Sequence, residues 1–225
     1  LLPYLGYMAS AFLCGLLNIT AAAIVVIRYR HHLHFRRALK LATIGIALSL
    51  TVGLVTSESI SKYIENGLYR DTIVFSQQSQ YQKVIITRHK DDIRLFIDGN
   101  LQFSSMDEYR YHEALVHIPM AQVVYPKNIL ILGGGDGLAA RELLKYGDVN
   151  ITLVDLDAVM TDVSKINPLI VELNQGSLSD ERVHIINDDA FKFLERTSER
   201  YDLIIVDLPD PNNAALGKLY SNIFY

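Results

Sequence analysis

Three features of the sequence predict an α/β chain with a doubly wound parallel sheet, a small antiparallel β unit ahead of it and helices of membrane type at its N-terminus. Two long apolar runs occupy residues 1–57. A block of β-rich segments with a tight-turn signal follows over 58–105. From 106 onward, short apolar strands alternate with helical segments and end repeatedly in Gly or Asp. Residues 106–225 are therefore read as a Rossmann-like domain.

Charge divides the chain at the same place. Residues 1–57 hold no Asp or Glu and five of the 21 Lys and Arg residues, which leaves 16 basic against 25 acidic residues in 58–225. The acidic part argues against a nucleic-acid partner and tolerates a cationic one. Cys14 is the sole cysteine, which excludes an internal disulfide and a metal site of cysteine type.

Taken in order, residues 1–27 are apolar, interrupted chiefly by Asn18 and Thr20, and exceed the ~20 residues needed to cross a bilayer. The start Leu-Leu-Pro suits the interior of a longer protein better than a secretory signal. Residues 41–56 form a second, shorter apolar run, expected to be a span or a re-entrant helix. Between them lies a basic loop, 28–40. Its His31, His32 and His34 lack an accompanying carboxylate, so a juxtamembrane basic loop is expected rather than a metal site. If both runs span, the positive-inside rule places the following domain opposite this loop. If the second is re-entrant, the domain stays cytoplasmic.

In the soluble part, 72–76, 81–87, 93–97 and 101–103 read as strands, with Asp98-Gly99 as a hairpin turn. A helix is expected from Met106 to Gln122 with Tyr111, Leu115 and Ile118 on one face. Strands follow at 128–132, 151–154, 183–186 and 203–206. In such sheets ligands bind outside the carboxyl ends of the strands, and the residues there are Asp136, Asp155, Asp188 and Asp207.

Each of these has a chemical reading beside a plainer one. Gly133, Gly135 and Gly137 permit a tight turn and close ligand approach. Their G-x-G-x-G spacing differs from the dinucleotide fingerprint, and Asp136 within the loop disfavours phosphate. The plainer reading is an ordinary βα turn. Asp155, 22 residues after Gly133, sits where a carboxylate would hold ribose hydroxyls. Asp157 is expected to cap the next helix. Asp188 is placed to read an adenine amino group, with Asp189 as either a second reader or a cap. Asp207-Leu-Pro-Asp210-Pro puts two carboxylates on a stiff turn. An ammonium substrate would use one as anchor and the other as base, whereas a loop of turn formers is the plainer alternative.

Together these blocks resemble the spermidine synthase (polyamine aminopropyltransferase) family, of the membrane-associated bacterial branch. The resemblance runs from Tyr63 to Tyr225 and rests on six motifs. They are Ser79-Gln-Tyr-Gln82, Leu95-Phe-Ile-Asp-Gly99 with Gln102, Asp107-Glu-Tyr-Arg-Tyr-His-Glu113, Gly133-Gly-Gly-Asp-Gly137 with Arg141-Glu142, Asp207-Leu-Pro-Asp-Pro211 and Leu219-Tyr-Ser221. It implies aminopropyl transfer from decarboxylated S-adenosylmethionine to a diamine such as putrescine, with no prosthetic group and no metal, on a fold of class I methyltransferase type. By resemblance, Gln82, Asp136, Asp155 and Asp188 would hold the donor. Asp207 would be the general base, and Tyr111, His112 and Asp210 would line the acceptor site. The chain departs from the family pattern at Leu138 and at Leu208-Pro209, and the family continues through strands beyond Tyr225. A homodimer or larger homo-oligomer is compatible with the sequence. The rival readings are an S-adenosylmethionine methyltransferase on the same fold, a non-catalytic membrane-linked polyamine or nucleoside sensor, and a transporter fragment.

Overall fold

The computed structural model describes residues 2–29, 35–211 and 214–224. It divides into two compact units, Leu1–Thr72 and Ile73–Tyr225.

The first unit is a pair of helices, α1 (Leu2–Arg28) and α2 (Arg36–Leu68), with a break in α1 at Gly6, whose φ is 73°. Gly6–Arg28 and Arg37–Leu68 are each long and apolar enough to cross a membrane. Small residues let the helices approach: a methyl group on Gly53 would fall 2.3 Å from Phe12 Cε1, and one on Gly15 would fall 3.0 Å from Leu50 Cδ2. The outer surface is apolar, with Ile24, Val52 and Val55 exposed. The hydroxyls of Thr20, Thr43, Thr51 and Thr56 each donate to the carbonyl four residues back, which satisfies them without water.

The second helix corrects the expected boundaries. Instead of ending at 56 it continues to Leu68, so the stretch assigned to the β unit from 58 is helical up to there. The composition turns polar at Glu58 but the helix does not stop. Lys62 pairs with Glu58 at 2.7 Å one turn away, and the first glycine after Glu58 is Gly67. The basic loop is also shorter than expected, since Arg28 belongs to α1 and 36–40 to α2. His31, His32 and His34 lie outside the described residues.

The second unit opens with an antiparallel meander, β1 (Thr72–Gln78), β2 (Lys83–His89), β3 (Asp92–Ile97) and β4 (Asn100–Ser104), in that spatial order. Asp98 and Gly99 both have positive φ, 49° and 82°, as a two-residue hairpin turn matching strand twist requires. Val84, Ile86, Leu95 and Phe103 pack against Leu138, Met160, Val163 and Ile170, so the meander shares a core with the helices that follow.

The main sheet comprises β5 (Asn128–Gly133), β6 (Asn150–Asp155), β7 (Val183–Asn187) and β8 (Leu203–Asp207). They are parallel, in the order β7-β6-β5-β8. The chain moves outward from β5 to β7 and then returns to the other side of β5. The strand order therefore reverses between β5 and β8, where doubly wound sheets form their ligand crevice. Ile129, Leu130, Ile131 and Leu132 are all buried, because helices cover both faces. Helices α4 (Leu138–Leu143), α5 (Ala158–Ile166), α6 (Pro168–Asn174) and α7 (Ala190–Arg196) connect the strands, and a short α8 (Ala214–Gly217) follows β8.

Helix α3 (Glu108–Met120) precedes β5, and its buried face is not the expected one. Glu108, His112, Val116 and Met120 are inside, whereas Tyr111 and Ile118 are exposed. The apolar pattern misled because the inward face carries two polar residues that find buried partners.

Candidate active site

The loop after β5 is shaped by close approach to its neighbours. Gly133 has φ 85°, and a methyl group on it would lie 1.9 Å from the carbonyl oxygen of Asp207, its register partner on β8. Gly134 N–H donates to that carbonyl at 3.1 Å. A methyl group on Gly135 would lie 2.5 Å from Asp155 Oδ2. Gly137, with φ 82°, precedes α4, and Ser177 Oγ and Asn174 Nδ2 donate to the carbonyls of Gly137 and Asp136 at 2.7 and 2.8 Å. A side chain at 133 would press on the Asp207 backbone and one at 135 on the Asp155 carboxylate, whereas one at 137 would meet Ser177, Leu178 and Asn174.

Asp155 ends β6, and its two oxygens accept from the backbone N–H groups of Gly135 (3.0 Å) and Asp157 (2.8 Å). Burial pushes its carboxyl up to about 6, against the pull of those two bonds. Asp157 caps α5 as expected, accepting from Val159 N–H at 3.0 Å. It also accepts from Ser79 Oγ at 2.7 Å. Ser79 in turn accepts from the Gln82 N–H, so the Gln82 turn is tied to the end of β6.

Asp136 and Asp207 face each other across the β5–β8 crevice with His112 beside them. One side-chain nitrogen or oxygen from each of the three lies within 4.8 Å of the others. Burial, then the neighbouring charge of Asp136, raises the Asp207 carboxyl to about 6. Burial likewise raises Asp136, opposed by His112. Tyr111 Oη donates to Asp207 Oδ1 at 2.9 Å; the ring is half exposed, but desolvation of its hydroxyl end and then the Asp207 charge push its pKa up. His112 is buried, with Nδ1 2.8 Å from Glu108 Oε2. Burial would lower the His112 pKa, but the Glu108 bond and the charges of Asp136 and Asp207 outweigh it and the net direction is upward.

The structure thus gathers Tyr111, His112, Asp136, Asp155 and Asp207 at one crevice. Asp188 lies one strand further out. Its N–H donates to the Asp155 carbonyl at 3.0 Å, and its carboxylate pairs with Arg196. Asp189 is the cap of α7. Asp210 is exposed, with no hydrogen bond among the described residues, so it is outside the cluster. The sequence reading gave no site role to Glu108, Arg141, Ser79 or Asn174, which hold the site from behind. The Glu108/His112 spacing of one helical turn was the available signal.

The carboxylates of Asp136 and Asp207, with Asp155 at the next strand end, give this crevice an acidic lining that could accept a cation. Residues 108–225, more than half the chain, match the Spermine/spermidine synthase domain. A polyamine aminopropyltransferase of Oceanobacillus iheyensis is 51% identical over 226 residues, 99% of this chain and 44% of that protein. One of Leptospira interrogans is 42% identical over 228 residues, 99% of this chain and 45% of that protein. Both alignments take in the apolar helices, and the chain spans less than half the length of these curated relatives. A crystal structure of spermidine synthase in complex with the transition-state analogue AdoDATO superposes with a TM-score of 0.63 and 30% identity. It covers 68% of this chain and 52% of that one. The match over α3 and the whole parallel sheet, with the same fold around the crevice, makes this chain a member of the spermine/spermidine synthase family.

Proposed function

We propose that the protein transfers an aminopropyl group from decarboxylated S-adenosylmethionine to a diamine, putrescine, with Asp207 as the general base. The observation that carries this reading is the Tyr111–Asp207–Asp136–His112 group beside Asp155 at the strand-order reversal. Asp155 would hold the ribose of the donor, with Gln82 and Asp188 around its base. Asp136 and Asp207 suit the charge of a sulfonium donor and an ammonium acceptor.

Asp207 takes a proton from the acceptor ammonium, which frees the nitrogen lone pair to attack the carbon next to the sulfonium sulfur. The carbon–sulfur bond breaks with its electrons going to sulfur, giving the neutral thioether and a secondary ammonium that carries the positive charge. A base whose carboxyl titrates at about 6 is ionised at neutral pH yet still basic enough to accept that proton. Much of the acceleration would come from aligning the two substrates. Asp210, exposed above the turn, would meet the far ammonium of the diamine.

The long apolar helices would attach this unit to a membrane. At 1.5 Å per residue, α2 with its 33 residues is about 50 Å long, more than the ~30 Å hydrocarbon core. We place the catalytic unit in the cytoplasm because the donor's precursor is made there. With both helices spanning, this sets the supply of donor against the positive-inside rule, which would put the basic segment between them on that side.

Asp207→Asn tests the assignment of the base. It is expected to lower turnover by about 10²- to 10⁴-fold while the full chain in detergent still binds methylthioadenosine. A variant that turns over like the wild type removes Asp207 from that role.

A further inference from the structure

Behind the crevice lies a buried charged cluster that the proposed transfer does not touch. Glu108 and Glu142 are 8% and 1% exposed. Arg141 Nη1 donates to Glu108 Oε1 at 2.8 Å and Nη2 to Oε2 at 3.1 Å, while Nε donates to Glu142 Oε1 at 2.9 Å. On its other side Glu108 faces His112 Nδ1, at 2.8 Å from Oε2 and 3.0 Å from its carbonyl oxygen. Buried ion groups of this kind are a poor source of stability, since apolar residues of similar volume often serve as well. What the cluster does is geometric. It fixes the His112 ring, places a proton on Nδ1 to meet two acceptors, and leaves Nε2 as the nitrogen available to Asp136 and Asp207.

We propose that Glu108, clamped by Arg141, is a positioning residue that holds His112 as a fixed cationic edge against Asp136 and Asp207, keeping Asp207 ionised before the acceptor arrives. The groups facing His112 are Glu108 and Tyr111 from its own helix, Asp136 from the glycine loop and Asp207 from β8. Arg141 of α4 stands behind Glu108. Three carboxylates against one guanidinium favour a protonated ring, in keeping with the upward direction of its pKa. The kinetic part of this inference rests on the proposed transfer, and the titration part does not.

The test uses the full chain in detergent with its seven histidines labelled at the ring nitrogens. His112→Asn identifies the signal by its loss. In the wild type His112 is expected to titrate above the ordinary ~6.5, and Glu108→Gln to lower it by about one unit. With the imidazolium weakened, Asp207 loses a stabilising neighbour. The acidic limb of kcat/KM for the acceptor therefore moves to higher pH, while KM for the donor stays within about twofold. Glu108→Gln that lowers the Tm but leaves both the His112 signal and the limb in place makes the cluster merely structural and overturns the proposal. If that variant does not fold, the wild-type titration decides alone: a ring neutral at pH 7 overturns the proposal. Absence of aminopropyl transfer in the wild type would refute the proposed reaction instead, leaving the ring titration to judge this inference.

Discussion

Replacing Gly135 by alanine places a methyl carbon 2.5 Å from Asp155 Oδ2, 2.8 Å from its Cγ and 3.1 Å from Met160 Cγ. An unstrained contact needs about 3.5 Å, so the carboxylate must retreat by roughly 1 Å. That displacement breaks the Gly135 N–H bond to Oδ2, now 3.0 Å, and loosens the one from Asp157 to Oδ1. A hydrogen bond to a charged group contributes about 1.5–3 kcal/mol. A donor held by this carboxylate should therefore bind roughly 10- to 100-fold more weakly. A second effect adds to the first. Burial already raises the Asp155 carboxyl to about 6, and the two backbone bonds oppose it. Losing one raises it further, so the defect should grow as pH falls from about 8 to about 6.5. Titration calorimetry with methylthioadenosine at both pH values reads the effect, alongside the Tm. A folded Gly135→Ala protein that binds like the wild type at both pH values would refute the assignment of Asp155 as the donor's anchor.

Other expectations follow from the same geometry. The Asp207 carboxyl rises from 3.8 to about 6 on folding, so its contribution to stability is full below about 3.8 and is lost as pH rises through about 6. Asp207→Asn should then melt higher than the wild type at pH 8, by the equivalent of about 1–3 kcal/mol, with the gap closing toward pH 4; calorimetric melts at the two pH values check it. The wild-type kcat/KM for the acceptor should fall tenfold per unit below about pH 6. Tyr111→Phe removes the 2.9 Å bond that favours the Asp207 anion, so this limb should move up by about 0.5–1 unit in a pH–rate profile. The full chain should float with liposomes after an alkaline wash, and protease should reach residues 73–225 only from the cytoplasmic side. Recovery in the wash supernatant, or cleavage from the opposite side, would contradict the membrane assignment or its orientation.

Much of the fold was legible because its signals are local. The β5 run ends in glycines, and Asp98-Gly99 supplies the positive φ values of its turn. The period of strand and helix from 128 onward gives a parallel sheet. Asp136, Asp155 and Asp207 could be named from the rule that ligands sit at strand ends. What stayed hidden depended on contacts distant in sequence. Arg141, 33 residues from Glu108, is what makes a buried glutamate tolerable and turns the polar face of α3 inward. Asp188 and Asp210 had equally good strand-end or turn positions. Only the fold shows one paired with Arg196 and the other exposed. The end of α2 was missed because hydropathy changes at Glu58 whereas helical hydrogen bonding persists to Leu68. The family resemblance seen in the motifs is matched by the relatives and by the fold.

The central claim is tested most directly by incubating the purified protein in detergent with putrescine and either decarboxylated or intact S-adenosylmethionine, and reading the products by mass spectrometry. The expected result is spermidine and methylthioadenosine in equal amounts from the decarboxylated donor alone. A methylated product from the intact donor would assign the crevice to methyl transfer, and measurable donor binding with no product from either would make this chain a binding module and not an enzyme.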